Sequence, residues 1–419
     1  MTAEKESAEI ASPQEQEKTK PSLAWIAWQF LKIGAMGFGG GVAVIALIQR
    51  ECVERKKCVE AEEFLHGVGL GQILGSFAVN TAFFVGHRMR GLLGALTAMI
   101  AFLAPSVTLV IGLSWLYFTT QKIPSLQDAL NGAGPVVIAI ITSAAISLGK
   151  KTLKSLPAWF LGGVGVLGTL FHVSLITLIL CAACVGYVLK MAKENSLTAG
   201  KHTNSRQGSE KALMGATTIT AAKVATGTTS PILVGTTAAT FSLFALALLF
   251  LKVGFMFFGG GYVLVPLLQH ELVSKLHLLT EREFLDGVAI SQLTPGPIAV
   301  LATYVGYRFG GALGAVLATA CLYAPATTLM AFISHVYTRI RHLDKVRDAL
   351  AGISAVIVGM ILASAVELAP HSSISLKHPF GIVLAATSLY FLERHKWHPA
   401  ILLAAGALLG TFLPGVFAG

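Results

Sequence analysis

Long uncharged stretches alternate with short charged ones along the chain. No Asp, Glu, Lys or Arg occurs from Gly91 to Gln121, from Ala129 to Gly149 or from Phe309 to Ser334. Each stretch reaches or exceeds the roughly 20 residues that cross a hydrocarbon core. Because lipid offers no partner to open backbone groups, and the short alternating strands of a barrel are missing from the pattern, these stretches predict membrane-spanning α-helices.

The pattern repeats after a shift of 220 positions. Residues 30–34 (FLKIG) recur as 250–254 (FLKVG), and residues 38–41 (FGGG) recur as 258–261. The register then continues through several polar residues to Pro105 and Pro325. Many secondary transporters consist of two copies of such an apolar multi-helix unit, with the substrate path between the copies.

The composition of the chain indicates that it lies in a membrane. The chain is 54% hydrophobic and 12% charged, with a mean hydropathy of +0.71. Too little polar surface is present to cover a soluble domain of this size, which predicts a multi-pass protein of the inner (plasma) membrane. We expect an all-α integral membrane protein of two homologous multi-helix halves with about 10–12 membrane segments.

Changes in composition along the chain predict its domain organisation. Residues 1–22 form a polar tail that mixes Glu with Lys, unlike a cleavable signal sequence. Residues 23–190 form the first transporter repeat and residues 241–419 the second. Residues 191–240 are polar and then rich in Thr, Ala and Gly, which is typical of a flexible linker.

Basic charge alternates between matching loops of the two repeats. Residues 150–154 are basic, whereas the matching residues 371–375 carry no Lys or Arg. The reverse holds for residues 339–347 and 394–396, whose counterparts in the first repeat are sparsely charged. If basic loops are cytoplasmic, the repeats are inverted, or antiparallel, in the membrane. Parallel halves with irregular loop charge are the alternative.

Each repeat carries three consecutive glycines within an apolar segment. They are Gly39, Gly40, Gly41, Gly259, Gly260 and Gly261. Glycine weakens a helix by about 0.8–1 kcal/mol relative to Ala, so each helix is expected to break there. The break would expose backbone N–H groups and a helix N-terminus, which together favour an anion. Close packing of two helices is the alternative.

A second constellation differs between the repeats. The later copy reads SQLTPGP and supplies Gln292, Thr294, Pro295, Gly296 and Pro297. Two prolines around a glycine predict two half-helices joined by an irregular turn. The earlier copy keeps the glutamine, as Gln72, and adds Asn80 but lacks both prolines. These side chains are candidates for substrate contact, although buried amides also serve as interhelical hydrogen-bond partners.

Ionisable residues flank these breaks in both repeats. Arg88 and Arg308 are candidates for oxyanion binding, because guanidinium presents parallel N–H groups. Candidates for proton coupling are Lys32, Glu63, Lys252 and Glu283. Interfacial anchors or structural ion pairs are the alternative role for all of these groups.

Other kinds of function have little support in the sequence. Cys181 and Cys184 form a C-x-x-C motif without accompanying His, Asp or Glu, so no metal and no cofactor is expected. The net charge of +10 is explained by loops that orient a membrane protein, and no nucleic acid partner is expected. No phosphate-binding loop or zinc-protease motif supports a membrane enzyme acting on lipid.

The repeated motifs resemble those of the chromate ion transporter family in its long-chain, two-domain form. The shared pattern is F-x-K-x-G-x-x-x-F-G-G-G, followed by E-F-L-[HD]-G-V, V-G-[HY]-R and a distal A-P, with Q-L-T-P-G-P in the second repeat. The first repeat departs from the family's F-G-G-P and P-G-P. The resemblance implies chromate efflux driven by the proton gradient, with chromate resistance as the consequence.

The predicted function is therefore secondary active transport of a tetrahedral oxyanion, with proton-coupled chromate efflux as the first candidate. Sulfate or another anion as substrate, and a passive anion channel, are the alternatives. The expected partners are a chromate-like or sulfate-like oxyanion, protons and the lipid bilayer. The oligomeric state stays open, with a homodimer among the options.

Overall fold

The computed structural model describes residues 21–37, 40–120, 123–171, 173, 177–178, 181–182, 184–185, 242–257, 260–340, 344–374 and 379–417. All regular elements within these ranges are helices. Four helical stretches there are long and apolar enough to cross a membrane, namely Phe77–Thr120, Pro124–Thr152, Ile298–Phe332 and Gly352–His371, and four shorter apolar helices accompany them. The predicted all-α membrane fold is confirmed, while the number of membrane segments stays a prediction.

The predicted tail and linker fall almost wholly outside the described residues, so the proposed domain boundaries stay predictions. The described helices of the first repeat are α1 (Leu23–Met36), α2 (Gly40–Ile48), α3 (Ala61–Ile73), α4 (Phe77–Thr120), α5 (Pro124–Thr152) and α6 (Leu156–Leu170). Those of the second repeat are α7 (Leu243–Met256), α8 (Leu264–Leu268), α9 (Glu281–Leu293), α10 (Leu301–Ile340), α11 (Asp344–Leu368), α12 (Pro379–Tyr390), α13 (Pro399–Phe412) and α14 (Pro414–Phe417).

Short π-helical and 3-10 segments connect several of these helices. The π-helical segments Gln49–Arg55 and Gln269–Lys275 follow α2 and α8 at matching positions of the two repeats, and a third, Phe391–His395, follows α12. The 3-10 turns Gly261–Val263 and Ile298–Val300 lead into α8 and α10. A further 3-10 turn, Ala369–His371, extends α11.

The long helix α4 reverses direction near its first third. Gly91 has φ +64°, a left-handed conformation that glycine adopts without steric cost. A methyl group on Gly86 would collide with the carbonyl oxygen of Gly94, so the segments on either side of the turn pack against each other. Gly311 makes the same turn in α10, with φ +57°. Residues 92–120 therefore form a separate long helix.

The short segment of α4 before this turn packs antiparallel against α3. A methyl group on Gly67 would collide with the ring of Phe84, and Glu63 forms an ion pair with Arg88. The residue number rises from Glu63 to Gly67 while that of the partner falls from Arg88 to Phe84, so the two segments run in opposite directions. We call the helical hairpin formed by α3 and residues 77–89 hairpin 1. Its tip is residues 74–76. Its base is the opposite end, where Glu63 meets Arg88.

The second repeat contains the same unit, here called hairpin 2, made of α9 and residues 298–309. The ring of Tyr304 fills the space beside Gly287, and Arg308 Nε lies 3.6 Å from Glu283 Oε1. Its tip, residues 294–297, is the P-G-P turn that the sequence predicted between two half-helices.

The two hairpins approach each other from opposite ends of residues 92–120. Gly94, near one end of this helix, packs on hairpin 1 close to its base. Ser106 donates a hydrogen bond to the carbonyl of Pro295 at the tip of hairpin 2, and Tyr117 contacts Asp286 closer to the base of hairpin 2. Residues 94 and 117 are separated by about 35 Å of helix, close to the thickness of a hydrocarbon core. The tips therefore meet near the middle of this helix.

The tips are held by crosswise contacts between the repeats. The N–H of Gly296 donates to the carbonyl of Gly37, the residue that follows α1, at 3.2 Å. In the other direction, Gly75, with φ +100°, lies directly against the carbonyl of Phe257, the residue that follows α7. Because Gly37 and Phe257 are matching positions, the contacts are reciprocal and relate the repeats by an approximate twofold axis.

Helices after the hairpins also exchange partners between the repeats. Helix α5 packs on α12 and α13, and α11 packs on α6. Glycines allow these close approaches, since a methyl group on Gly132 would meet the backbone of Gly406 and one on Gly359 would meet that of Gly162. The two repeats consequently share one packed core.

Replacing Gly86 with Ala is expected to destabilise the protein. Ala normally stabilises a helix by up to about 1 kcal/mol relative to Gly. At Gly86 the added methyl group meets the Gly94 carbonyl, and such overpacking costs about 1–3 kcal/mol. The measurement is the melting temperature of the purified protein in detergent. Gly112→Ala is the matched control, because a methyl group at Gly112 has no neighbour within 4 Å. Equal or higher melting temperatures for both variants would contradict the hairpin turn.

Candidate functional site

A cavity of about 450 Å³ lies where the hairpin tips meet the breaks after α1 and α7. We call it the tip cavity. Both repeats contribute to its lining, which consists of Gly37, Gly41, Gln72, Ser76, Phe77, Ala78, Ser147, Leu148, Lys151, Gly260, Gly261, Tyr262, Gln292, Thr294, Gly296, Pro297, Ile298, His398 and Pro399.

Eight residues singled out from the sequence line this one cavity. Three come from the glycine breaks, two are the matching glutamines and three belong to the tip of hairpin 2. They are Gly41, Gly260, Gly261, Gln72, Gln292, Thr294, Gly296 and Pro297. The tertiary structure therefore brings together two motifs that lie about 30 residues apart in each repeat and 220 apart between repeats.

The glycine breaks occur where the sequence predicts them. Helix α1 ends at Met36 and α2 begins at Gly40, while α7 ends at Met256 and a 3-10 turn begins at Gly261. Gly260 has φ +130°, which only glycine tolerates without strain. Gly39 and Gly259 lie outside the described residues, and Gly40 is described by its backbone alone.

Helix N-termini converge on the tip cavity. Gly41, Phe77 and Pro399 belong to the first turns of α2, α4 and α13, and all three line the cavity. Ile298 begins the short 3-10 turn that leads into α10. The first N–H groups of a helix have no partner within it and carry the positive end of the helix dipole. The C-terminal ends of α3 and α9 also reach the cavity, through Gln72 and Gln292. A helix C-terminus carries the negative end of the dipole, but the amide groups of these two side chains can donate hydrogen bonds.

Lys151 supplies a positive charge that motif analysis did not single out. It is exposed at the end of α5 and lines the cavity, and it has no carboxylate partner within the described part of the chain. Its neighbour Lys150 is instead paired with Glu393 at 2.6 Å. Sequence analysis used both lysines only as markers of loop orientation, because no motif indicates that α5 ends beside the hairpin tips.

His398 and Ser147 are the other polar side chains near Lys151. His398 precedes α13 and its Nδ1 accepts a hydrogen bond from the N–H of Ala400 at 3.1 Å, so the proton of the neutral ring lies on Nε2. Ser147 donates to Glu393 at 3.4 Å. No Asp or Glu belongs to the described lining of the cavity. The site therefore offers donors and positive charge, and the neighbouring carboxylate of Glu393 is paired with Lys150.

The polar residues at the tip of hairpin 2 are anchored by local hydrogen bonds. Gln292 Nε2 donates to the hydroxyl of Tyr262 at 3.2 Å, and the hydroxyl of Thr294 donates to the carbonyl of Ser291 at 3.0 Å. Pro295 is buried and does not belong to the lining; its carbonyl accepts from Ser106. Its role in this structure is to hold the turn.

Asn80 stabilises the tip of hairpin 1 and does not line the cavity. It is fully buried, and its Nδ2 donates to the carbonyl of Leu74 at 3.0 Å, the residue that follows α3. This hydrogen bond satisfies a carbonyl that the helix itself leaves open. An amide thus stabilises the turn in the repeat that lacks the two prolines.

Arg88 and Arg308 lie at the bases of the hairpins and do not line the tip cavity. Arg88 pairs with Glu63, and Arg308 with Glu283. Glu63 is eleven residues from the tip, which corresponds to about 16 Å along a helix. This geometry favours the structural ion-pair alternative over direct contact with an anion in the cavity. Glu283 is further occupied as the capping residue of α9, where its carboxylate accepts from the N–H of Thr280.

The two candidate coupling lysines differ between the repeats. Lys252 pairs with buried Glu271 at 2.6 Å. Its counterpart Lys32 is exposed and lies 5.3 Å from the centre of the Trp28 ring, while the carboxylate of Glu51 bonds to Arg55 and Gln29 instead. Neither lysine lines the tip cavity, and Lys252 is occupied in an ion pair.

The sequence profile described as "Chromate transporter" matches residues 24–187 and 244–411, most of both repeats. The chain belongs to the chromate transporter family. It is a family of transporters rather than enzymes. In both repeats the match to this chromate transporter profile includes the hairpin and the helical break that border the tip cavity.

Several known proteins match most of the chain. A chromate transport protein of Cupriavidus metallidurans is 27% identical over 395 residues, covering 93% of this chain and 92% of that protein. A chromate transport protein of Pseudomonas aeruginosa is 28% identical, covering 91% of this chain and 90% of that protein. An uncharacterized transporter of Methanocaldococcus jannaschii is 26% identical, covering 84% and 86%. No solved structure matches.

Exchanging the charges of Arg308 and Glu283 in hairpin 2 is expected to preserve the fold. Arg308→Glu alone places two carboxylates together and should lower the yield of folded protein, whereas adding Glu283→Arg restores an ion pair. Arg308→Lys should keep most transport, because a partly exposed pair contributes only about 1 kcal/mol. The measurements are monodisperse yield in detergent and anion uptake.

The equivalent exchange of Glu63 and Arg88 in hairpin 1 is the matched control. Folded but inactive double variants, together with inactive Arg308→Lys, would show that the guanidinium contacts the anion directly.

Proposed function

We propose that this chain is a secondary transporter that binds a tetrahedral oxyanion, with chromate as the first candidate, in the tip cavity. The observation that carries the proposal is the lining, where helix N-termini from both repeats and Lys151 converge without a carboxylate. An oxyanion is stabilised there by backbone N–H groups and by charge. The family match and the names of two relatives support chromate.

The residues that we propose to contact the anion are those that both line the cavity and can donate. Backbone N–H groups of Gly41, Gly260 and Gly261 and the side chains of Gln72, Gln292 and Lys151 fit this role. Gly296 is excluded as a donor while its N–H is bonded to Gly37. Sulfate has the same shape and charge as chromate, so competition between the two anions decides the substrate.

We further propose that the repeats are inverted in the membrane. Hairpin 1 and hairpin 2 approach from opposite ends of residues 92–120, which supports opposite membrane orientations. Lys150 pairs with Glu393, so the loops after α5 and α12 share one face. His371, the counterpart of Lys151, accepts a hydrogen bond from Arg282 near the base of hairpin 2. Matching loops thus occupy opposite faces.

The face that carries the loops after α5 and α12 is proposed to be cytoplasmic. These loops contain Lys150, Lys151, Lys154, Arg394 and Lys396 but only one acid, Glu393. Lys and Arg concentrate in cytoplasmic loops. Because exposed Lys151 lines the tip cavity, the cavity then faces the cytoplasm, as an exporter in the inner membrane requires before it binds its substrate. We propose that chromate leaves the cell while protons enter it.

The inverted arrangement predicts opposite accessibility for Lys57 and His277. These are matching, exposed residues in the loops that precede hairpin 1 and hairpin 2. Each is replaced by Cys in a protein whose five native cysteines are changed to Ser. A membrane-impermeant maleimide added to intact cells should label His277→Cys and leave Lys57→Cys unlabelled until the cells are opened. Labelling of both positions from outside would contradict inverted repeats.

Replacing Lys151 with Gln is expected to weaken anion transport. The substitution removes the cationic group nearest the tips, and a charge-assisted hydrogen bond contributes about 1.5–3 kcal/mol, so the half-saturating chromate concentration should rise roughly 10-fold to 100-fold. The measurement is chromate uptake into everted membrane vesicles energised with a proton gradient. Lys154→Gln is the control, because Lys154 is exposed in the same loop but does not line the cavity.

The same vesicles test the function as a whole. Wild-type vesicles should accumulate chromate only with the proton gradient, and sulfate should compete if the site recognises the tetrahedral dianion. Accumulation that ignores the gradient would indicate a passive channel. Equal half-saturation for Lys151→Gln and Lys154→Gln would place the anion site outside the tip cavity.

A further inference from the structure

A buried carboxyl joins hairpin 2 to the first repeat, away from the tip cavity. Asp286 in α9 is 4% exposed. Its Oδ2 accepts a hydrogen bond from the hydroxyl of Tyr117 at 2.9 Å, and its Oδ1 lies 3.3 Å from Nε of Arg282. Tyr117 belongs to α4 of the first repeat, so this carboxyl bridges the two repeats.

The groups around Asp286 form a connected network. Arg282 also donates to the carbonyl of His371 at 3.2 Å, and the imidazole of His371 lies 3.7 Å from Glu281. Glu283, next to Arg282, pairs with Arg308, and the hydroxyl of Tyr304 donates to the Glu283 carbonyl at 3.0 Å.

Aromatic rings complete the network. The rings of Tyr117 and Tyr304 are 5.8 Å apart, and Phe118 stacks on Tyr304 at 5.4 Å. The ionisable side chains that act on the carboxyl of Asp286 are therefore Arg282 and Glu283 of its own helix and Tyr117 of α4, with Tyr304 behind Tyr117.

This network lies on the side of the protein opposite to Lys151. Asp286 is eight residues before Thr294 at the tip, which is about 12 Å along the helix. It contributes nothing to the cavity lining. The contact instead packs the base of hairpin 2 against the far end of residues 92–120. Opening the tip cavity toward this side requires the base of hairpin 2 to move away from Tyr117.

The matching position in hairpin 1 shows that the fold does not require an acid here. His66 stands where hairpin 2 has Asp286, and its Nε2 lies 3.9 Å from Glu62 with about a third of the side chain exposed. The hairpins are otherwise built alike, with Gly67 and Gly287 packing on aromatic rings. A buried carboxyl in only one of two equivalent hairpins points to a role in transport, since ionisable groups at membrane depth are costly.

We propose that Asp286 takes up and releases the coupling proton, and that its protonation loosens the contact between hairpin 2 and α4. The inference rests on the proton-coupled transport proposed above. The ionised carboxylate accepts the Tyr117 hydrogen bond and balances the charge of Arg282. A proton from the solution on that side binds to the carboxylate and forms a neutral acid. The ion pair is then lost, and the hairpin is released from the first repeat.

Reconstituted proteoliposomes separate coupling from anion binding. Chromate exchange with an equal concentration on both sides reports the anion site alone, and accumulation driven by a proton gradient reports coupling. Asp286→Asn is expected to keep exchange within about twofold of wild type and to lose gradient-driven accumulation. Asp286→Glu should restore accumulation. Glu281→Gln is the control, because Glu281 is partly exposed on the same helix and pairs with His371 at 3.7 Å rather than with Asp286 or Tyr117.

Tyr117→Phe provides a test that keeps the carboxyl in place. The variant removes a hydrogen bond that favours the ionised form, so the pH midpoint of gradient-driven accumulation should move to higher pH while maximal exchange is kept. A purely structural contact would lower both activities without moving the midpoint. This readout remains decisive if Asp286→Asn fails to fold.

Two results would overturn the assignment of Asp286. One is Asp286→Asn protein that still accumulates chromate against its gradient. The other is an unchanged pH midpoint in folded Tyr117→Phe protein. Wild-type protein that exchanges chromate but ignores the proton gradient would overturn proton coupling itself, and the anion site would stand. Wild-type protein that does not exchange chromate would overturn the substrate proposal. Failure of the Asp286 assignment and failure of the proposed function therefore give different results.

Discussion

The fold depends on backbone hydrogen bonds that neither repeat can form alone. Each hairpin tip ends one helix and begins another at membrane depth, where an N–H or C=O group that is buried without a partner costs several kcal/mol. The N–H of Gly296 is satisfied by Gly37 of the first repeat, and the carbonyl of Pro295 by Ser106. Gly75 makes the reciprocal close approach to Phe257. Docking of the two repeats therefore completes the hydrogen bonds at the tip of hairpin 2 and packs the tip of hairpin 1 against the second repeat.

The same constraint shapes the tip cavity. Irregular backbone is tolerated at membrane depth where it is buried in protein or lines a cavity. Where the tips and the glycine breaks meet, α2, α4 and α13 begin beside one common space. Helix α5, which packs on α12 and α13 of the second repeat, then ends beside this space and brings Lys151 into the lining. Helix termini and Lys151, rather than arginines, belong to the described lining of this space.

Duplication has left two hairpins of one shape with different chemistry. The tip of hairpin 2 is shaped by two prolines and a glycine, whereas that of hairpin 1 uses the Asn80 amide to satisfy the Leu74 carbonyl. Near the bases, Asp286 bonds to Tyr117 while His66 stands at the matching position. An approximate twofold frame thus positions the two tips alike, while the ionisable groups near the two bases differ. The arginine ion pairs are common to both hairpins because they stabilise the shared shape.

The sequence by itself determined the membrane location, the duplication, the helix breaks at the glycines and the half-helices around the P-G-P turn, because these follow from local composition and backbone propensity. It could not assign Arg88 and Arg308 to hairpin bases, since that depends on α3 and α9 folding back antiparallel on the segments that follow. Nor could it single out Lys151, which belongs to no repeated motif, or Asp286, which occupies the variable position of the repeated E-F-L-[HD]-G-V motif. Only packing between the repeats decides which side chains meet, because contacts such as Tyr117 with Asp286 join residues 169 positions apart.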